Sequence, residues 1–465
     1  MADWTRLRLL LRLPPIRLIA CALLILTLFY ISQPAPTHLH QTLTTDPGDP
    51  WDAIPPAPPP PFTLSAARSR PAAQSAHDPL ARLVAPHHRP QCALTPAHAA
   101  RYAALLTSPS PVFLALNLLD AQWPLAALLH ELPVMLPYLG AVFVSVLENG
   151  SRDRTPDMLA VLADVLDAHG AAYRIEVRGP DAAVDKSGGR RIIELARLRN
   201  EVMAPLYDGS AARAAGVEGF GRVLFMNDIV FCAADMLEIL YEHENQGADM
   251  TCALDWGSHI VYDRWVLRTM SGNPSYAQPD LLAYFADAPP DPNPVPQPLP
   301  ADPAARARLA RLAPFQVFSC WNGAAVMRAD AFVPLSAAAE GGGIRGGEGI
   351  RGDGIRFRTA RNDASAVTER QSECFLVPVD MWRRGMGRVQ VVPRASVTYS
   401  GTDYEEVRQD GGRASAQPHP AGLAYVPLPS SEDKIAWVRD PPARVAYHDY
   451  AWWHEPERWG AWDEA

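Results

Sequence analysis

Between Pro111 and Leu254, apolar strand-like runs alternate with helical patterns, and this alternation restricts the chain to an α/β sheet with helices on its faces. Val112–Leu116 (VFLAL) and Val142–Leu147 (VFVSVL) are continuous apolar runs of the kind buried on both faces. Thr155 is the expected N-cap of a helix with Pro156 in its first turn. Met158, Val161, Leu162 and Val165 recur there at helical spacing, and Gly170 stops the helix. The pattern then predicts a strand over 173–177, a helix over 190–207, a strand over 222–226, a helix over 234–244 and a strand over 249–254. In such sheets ligands sit at the carboxyl ends of strands, so the loops after Leu147 and Met226 are the places to look for chemistry.

The rest of the chain is divided by its prolines. There are 46 in 465 residues, about twice the usual share, but 48% apolar and 20% charged residues are globular values. The excess is clustered. Residues 32–90 hold 14 prolines, and Pro55-Pro56-Ala57-Pro58-Pro59-Pro60-Pro61 is polyproline-like, so this stretch reads as a stiff, disordered stem without a core. Residues 286–304 form a Pro-rich insertion and 337–354 a Gly-rich one, inside a body spanning 91–430 and followed by an extension, 431–465. Gly347 to Gly352 fits G-x-G-x-x-G, but no strand precedes it and its Gly-Ile-Arg-Gly repetition is low complexity, which excludes a dinucleotide site.

At the N-terminus, residues 1–17 carry Arg6, Arg8, Arg12 and Arg17, followed by the uncharged run Leu18–Ile31. Arginines ahead of the run, a poor cleavage site and the Pro-rich flank predict a type II anchor with a cytosolic tail and a lumenal body; a cleaved signal peptide is the alternative. Net charge is −9 and no basic block lies beyond this tail, so nucleic acid is not an expected partner. No C-x-x-C, G-x-S-x-G, H-E-x-x-H or Walker motif occurs, which argues against structural zinc, serine hydrolase, zinc protease and P-loop chemistry.

Four loops carry polar residues at strand or helix ends. Glu148-Asn149-Gly150-Ser151-Arg152-Asp153 joins a buried strand to a helix N-terminus, where free N–H groups favour a diphosphate; a capped turn rich in Asx-type hydrogen bonds is the plainer reading. Asn227 and Asp228 interrupt an apolar run, and a carboxylate there is costly unless paired or bound to a cation. The plainer reading has Asp228 capping the next helix. Ser319-Cys320-Trp321-Asn322-Gly323 joins two apolar strands: Trp stacks on sugar faces and Asn bonds hydroxyls, but a hairpin with a packed Trp also accounts for it. Glu373, with Asp380 following, is a candidate active-site carboxylate or else a helix N-terminal acid.

Read in order, SVLENGSRDRT, RIIELARLRNEV, RVLFMNDIVFCAADMLEIL, CALDW with YDRWVLR, FSCWNGAAVMRADAF and SECFLVPVDMWRRGMGRVQVVPRASVTYS resemble the fungal α-1,3-mannosyltransferase family typified by the cryptococcal capsule-associated enzymes. The resemblance covers roughly residues 110–400. It implies a GT-A type nucleotide-sugar fold, a GDP-mannose donor, a mannose-containing acceptor, a divalent cation (typically Mn²⁺) and a type II membrane topology, and the short apolar span suits the thinner membranes of the ER and Golgi. Carried onto this chain, Glu148, Ser151, Asp153, Arg199, Asn200 and Asn227 face the donor. Asp228 is the metal ligand, in a motif that departs from a full Asp-x-Asp. Trp256, Trp321, Asn322 and Gly323 face the acceptor, and Asp255, Glu373 and Asp380 stand at the reacting centre. Two alternatives stay open: a catalytically silent glycan-binding scaffold of the same fold, or a transferase using a UDP-sugar.

In a lumenal body Cys92, Cys232, Cys252, Cys320 and Cys374 are oxidisable and odd in number, so at least one is left over or pairs between chains. Asn149-Gly150-Ser151 is a glycosylation sequon inside the expected donor loop. It is therefore expected to stay unoccupied: glycosidase treatment followed by peptide mapping should leave the mass at Asn149 unchanged, and a shift there would remove the loop from the site.

Overall fold

The computed structural model describes residues 63–65, 92–183, 191–257, 259–285, 295–334, 354–360, 371–408, 434–447 and 458–463. The expected anchor, most of the stem, and the Gly-rich insertion up to residue 353 lie outside the described residues. No helix among the described residues is long and apolar enough to cross a membrane.

In chain order the strands of the main sheet are β1 (Thr63–Ser65), β2 (Val112–Leu118), β3 (Val142–Glu148), β4 (Ala172–Val177), β5 (Arg222–Met226), β6 (Met250–Gly257), β7 (Ile260–Val261), β8 (Arg268–Thr269), β9 (Phe315–Ser319), β10 (Ala324–Arg328) and β11 (Val389–Thr398). They line up as β1-β4-β3-β2-β5-β10-β6-β11-β9-β8, with β7 on β6. The first four core strands, β4-β3-β2-β5, are parallel, and β10 runs antiparallel between β5 and β6. From β2 the chain builds outward through β3 to β4, then returns to the other side of β2 with β5. In open α/β sheets that reversal, between β2 and β5, is where the ligand crevice lies, at the strands' carboxyl ends.

The helices that matter here are α1 (Pro96–Thr107), α2 (Gln122–Met135), α3 (Thr155–Ala168), α4 (Arg191–Tyr207), α5 (Ser210–Ala215), α6 (Ala233–Gln246), α7 (Gln278–Phe285), α8 (Pro303–Leu309), α9 (Glu373–Arg383) and α10 (Gly401–Arg408). Alternate strand residues go to opposite cores. Phe113 and Ala115 of β2 join Phe143 and Phe225 in one cluster, while Val112, Leu114 and Leu116 join Val144 and Leu224 in the other. Both sheet faces are therefore dry, which is why these strands read as unbroken apolar runs rather than alternating ones.

The five strands and three helices that the sequence pattern places between Val112 and Gly257 fall there, to within three residues at each end, whereas it places no helix at α1, α2 or α5. Five local expectations change. Thr155 does not cap α3: Arg154 occupies the cap position, and the Thr155 hydroxyl instead accepts from the Ala121 N–H at 2.7 Å, tying α3 to the start of α2. The turn at 320–323 is no hairpin, since β9 pairs with β8 and β11 while β10 pairs with β5 and β6. The stem supplies the edge strand β1, antiparallel to β4. The second part of the 286–304 insertion is packed: Leu299 is buried and Asp302 caps α8 through the Ala305 N–H. The C-terminal extension folds back as the ribbon β12 (Arg444–Tyr447) and β13 (Arg458–Ala461), with Ala446 O accepting from Arg268 Nε at 2.8 Å. These additions pack through a few buried residues such as Leu299, Val445 and Ala446 and through hydrogen bonds, and short segments held this way leave no hydrophobic period in a sequence.

Two disulfides form, Cys92–Cys232 and Cys252–Cys320, leaving Cys374 buried and free. The second joins β6 to the 320–323 turn. Peptide mapping under non-reducing conditions should recover these two pairs, with Cys374 alkylated only after unfolding. A Cys252→Ser, Cys320→Ser variant is expected to lose about 2–4 kcal/mol in urea unfolding; a stability equal to wild type would contradict the bridge.

Candidate active site at the carboxyl ends of the central strands

The crevice is organised around the guanidinium of Arg199, which α4 carries to the ends of β2 and β5. Its Nε donates to Glu373 Oε1 at 2.9 Å and its Nη2 to Asn227 Oδ1 at 3.3 Å. The guanidinium carbon lies 4.9 Å from the ring centroids of Phe225 and Trp321, and 5.7 Å from that of Phe357. An ion pair, an amide acceptor and three aromatic rings thus compensate a charge that burial would otherwise penalise. The neighbouring Asn200 faces another way. It accepts from Phe357 N at 2.9 Å and donates to Phe357 O at 2.8 Å, fastening one of those aromatic walls.

Asn227 joins the strands together. Its backbone N–H donates to Gly323 O at 2.8 Å, its Oδ1 also accepts from Trp321 Nε1 at 3.1 Å, and its Nδ2 donates to Tyr399 Oη at 3.4 Å. Asp228, next in sequence, is half-buried and does not cap α6. Cys232 holds that cap position, with Asp235 Oδ2 accepting its N–H at 2.8 Å. Gly323 has φ of +83°, and a Cβ there would approach Val397 Cγ2 at 2.8 Å and Ile229 Cγ2 at 3.1 Å, so only glycine lets the turn lie this close.

Beneath them lies Asp255, at the end of β6 and fully buried. Its Oδ1 accepts from Asn322 Nδ2 at 2.8 Å and from the Asp263 N–H at 3.1 Å, and its Oδ2 accepts from Tyr399 Oη at 3.1 Å. Burial still pushes the Asp255 carboxyl up, although those three donors oppose it. Burial and then the Asp255 charge push Asp263 up to about 7, against the pull of the backbone N–H groups of Asn322 and Val266. Burial and the same charge hold the Tyr399 hydroxyl well above its ordinary range. Tyr262 packs against Tyr399 with ring centroids 4.5 Å apart.

The structure brings together Arg199, Asn227, Trp321, Asn322, Gly323, Asp255 and Glu373 as one connected network. Others are placed differently. Glu148 Oε1 accepts from the N–H groups of Gly150 and Ser151, and Oε2 from Arg178 N at 3.0 Å, so its carboxylate staples its own loop. Ser151 Oγ accepts from Asp120 N at 2.8 Å; Asp153 accepts from Gln122 N and Thr155 N, as the capped-turn reading expects. Trp256 is buried in the core with Nε1 donating to Ser396 Oγ, and Trp321 is equally buried, so neither indole offers a free face for stacking on a sugar. Asp380 lies two turns along α9 from Glu373 and is held by Arg358 and Arg383. Missed by sequence reasoning are Tyr399, Asp263 and Phe357. The YDRW tetrapeptide containing Asp263 is a detectable signal, whereas Tyr399 and Phe357 reach the site only through the fold.

A parallel-rich α/β sheet with a charged, aromatic-walled crevice at its topological switch is the form of a ligand-binding enzyme domain. The family model described as Cryptococcal mannosyltransferase 1 matches residues 111–380. The chain is also 32% identical over 367 residues to alpha-1,3-mannosyltransferase CMT1 of Cryptococcus neoformans var. neoformans serotype D, covering 77% of this chain and 72% of that protein. This chain therefore belongs to the cryptococcal mannosyltransferase family and is a glycosyltransferase. Among solved structures, S. aureus TarS 1–349 aligns over 64% of this chain at 11% identity and a TM-score of 0.29; the chain spans 62% of it. Mycobacterium tuberculosis glucosyl-3-phosphoglycerate synthase aligns over 72% of this chain and 78% of its own at 12% identity and a TM-score of 0.27.

The Asp263 carboxyl supplies a pH test. Its pKa is about 7 when folded against about 3.9 unfolded, so the folded chain holds this proton more tightly between those values. The stability it contributes is complete below about pH 4 and is lost as the pH rises through about 7. Asp263→Asn should flatten the fall in melting temperature across that window; parallel wild-type and variant curves would contradict the placement.

Proposed function

We propose that the chain is a metal-dependent retaining transferase of GT-A type that moves mannose from GDP-mannose to a hydroxyl of a mannoside, in α-1,3 linkage. The observation that carries this reading is the Arg199–Asn227–Glu373 cluster at the switch between β2 and β5, where an open α/β sheet takes its ligand. The strand order, with one antiparallel strand set into an otherwise parallel centre, supports the nucleotide-sugar fold. The relative's name supports mannose and the α-1,3 linkage. A body tethered in the Golgi or ER by Leu18–Ile31 accords with the two disulfides, which persist in oxidising compartments.

The residues present fit a divalent cation in a limited way. Of the two oxygen-bearing side chains of this motif, Asn227 is an amide whose Oδ1 accepts from Arg199 and Trp321, so the Asp228 carboxylate is the anionic oxygen donor a hard cation prefers. Among the described residues, the one group of three ligand-type side chains within reach of each other is Cys92, Glu131 and Cys232, and its cysteines are disulfide-bonded. One carboxylate matches an ion that takes its remaining ligands from phosphate oxygens and water, as Mg²⁺ and similar ions do. Such an ion, when bound, neutralises charge on the leaving diphosphate. Arg199 adds a fixed positive charge nearby, held by Glu373 so that it need not reorganise as charge develops. Tyr399 and Asn322 hold the Asp255 carboxylate beneath the turn that closes the site.

The full chain with Mn²⁺ should release GDP from GDP-mannose when offered a panel of mannosides, and release no more than background from UDP-sugars. Asp228→Ala should lower that rate by about two orders of magnitude or more. Nucleotide release from UDP-sugars alone would move the donor assignment; no release from any sugar nucleotide would favour a silent glycan-binding scaffold.

A further inference from the structure

The first turn of α9 enters the site. Ser372 caps the helix by accepting from the Cys374 N–H at 3.2 Å, and its hydroxyl also donates to Glu373 Oε2. Glu373 Oε1 in turn holds Arg199. Gln371 lies one residue ahead of that cap and is 2% exposed, yet neither its Nε2 nor its Oε1 has a hydrogen-bond partner. Arg199 shows the same deficit: Nε and Nη2 are engaged while Nη1 is buried without a hydrogen bond. Buried polar groups are paired in roughly nine cases in ten or more, and each unpaired one costs stability. One of these groups precedes Glu373 by two residues and the other is its ion-pair partner, and together they hold three buried polar atoms that the protein itself does not satisfy.

The chemistry of the open atoms narrows the ligand. The amide of Gln371 keeps donors and an acceptor open, and Arg199 Nη1 adds charged donors. A diphosphate only accepts and would leave Gln371 Oε1 unpaired. Sugar hydroxyls both donate and accept, and so match the chemistry of all three atoms. We propose that Gln371, together with Arg199 Nη1, recognises hydroxyls of the donor's pyranose and so discriminates the transferred sugar. This rests on the nucleotide-sugar reading above. A site that hydrogen-bonds a hydroxyl rejects ligands lacking it far more strongly than an apolar pocket does.

The test compares the full chain with Gln371→Met, which keeps the side-chain volume and removes both polar groups, in Mn²⁺. Calorimetric titration is run with GDP, GDP-mannose, UDP and UDP-glucose, beside thermal melts. In the variant, affinity for GDP-mannose relative to GDP should fall about tenfold or more, with GDP binding unchanged. The melting temperature should hold or rise, because an unpaired amide has been replaced by an apolar group. An unchanged affinity ratio, or GDP binding that falls together with the melting temperature, overturns the assignment and gives Gln371 a structural role. Wild-type chain that binds none of the four overturns the nucleotide-sugar reading itself, and this assignment with it.

Discussion

The buried guanidinium of Arg199 is the interaction on which the crevice depends. A charge taken out of water costs several kcal/mol unless compensated, and removing one partner of a buried pair costs about 3–5 kcal/mol. The compensation here comes from five places in the chain: Phe225 on β5, Asn227 after it, Trp321 in the turn before β10, Phe357, and Glu373 opening α9. Satisfying one side chain therefore fixes the relative positions of segments up to 174 residues apart. The 355–360 segment has little secondary structure of its own, and Asn200 secures it from the next position on α4 through both polar groups of the Phe357 backbone.

A second buried charge, Asp255, does for the far side of the crevice what Arg199 does for the near side. Asn322, Tyr399 and the Asp263 backbone converge on it from the turn before β10, from beyond β11 and from the segment after β7. The two centres share Asn227, which accepts from Arg199 and donates to Tyr399, whose hydroxyl continues to Asp255. The Cys252–Cys320 bridge ties the same turn to the same strand. A polar network this continuous, walled by aromatic rings, is rigid, as a site that stabilises developing charge must be.

Several residues chosen for their chemical type turn out to hold the frame. Glu148, Ser151 and Asp153 spend their oxygen atoms on backbone N–H groups, binding the loop after β3 to the start of α2. Trp321 meets no solvent; its indole carries Arg199 on one face and donates to Asn227. A polar residue in a strand-end loop has two possible partners, a ligand or the loop itself, and the local sequence is the same in either case.

The sequence by itself determined the order of the strands from Val112 to Gly257 and of the helices α3, α4 and α6 between them, because two-sided burial imposes unbroken apolar runs and helical faces impose a 3.6-residue period, while it did not mark α2 and α5. It also marked most segments that meet at the site, since polar residues set at the ends of apolar runs are visible locally. Only the tertiary structure decided that β9 and β10 are separated by β6 and β11 rather than paired as a hairpin, that Cys252 and not another cysteine meets Cys320, and that Tyr399 and Phe357 belong to the site while Asp380 lies two turns away. Those are contacts between residues far apart in the chain. Their energy comes from burial and pairing across the sheet, so no local period or spacing records them.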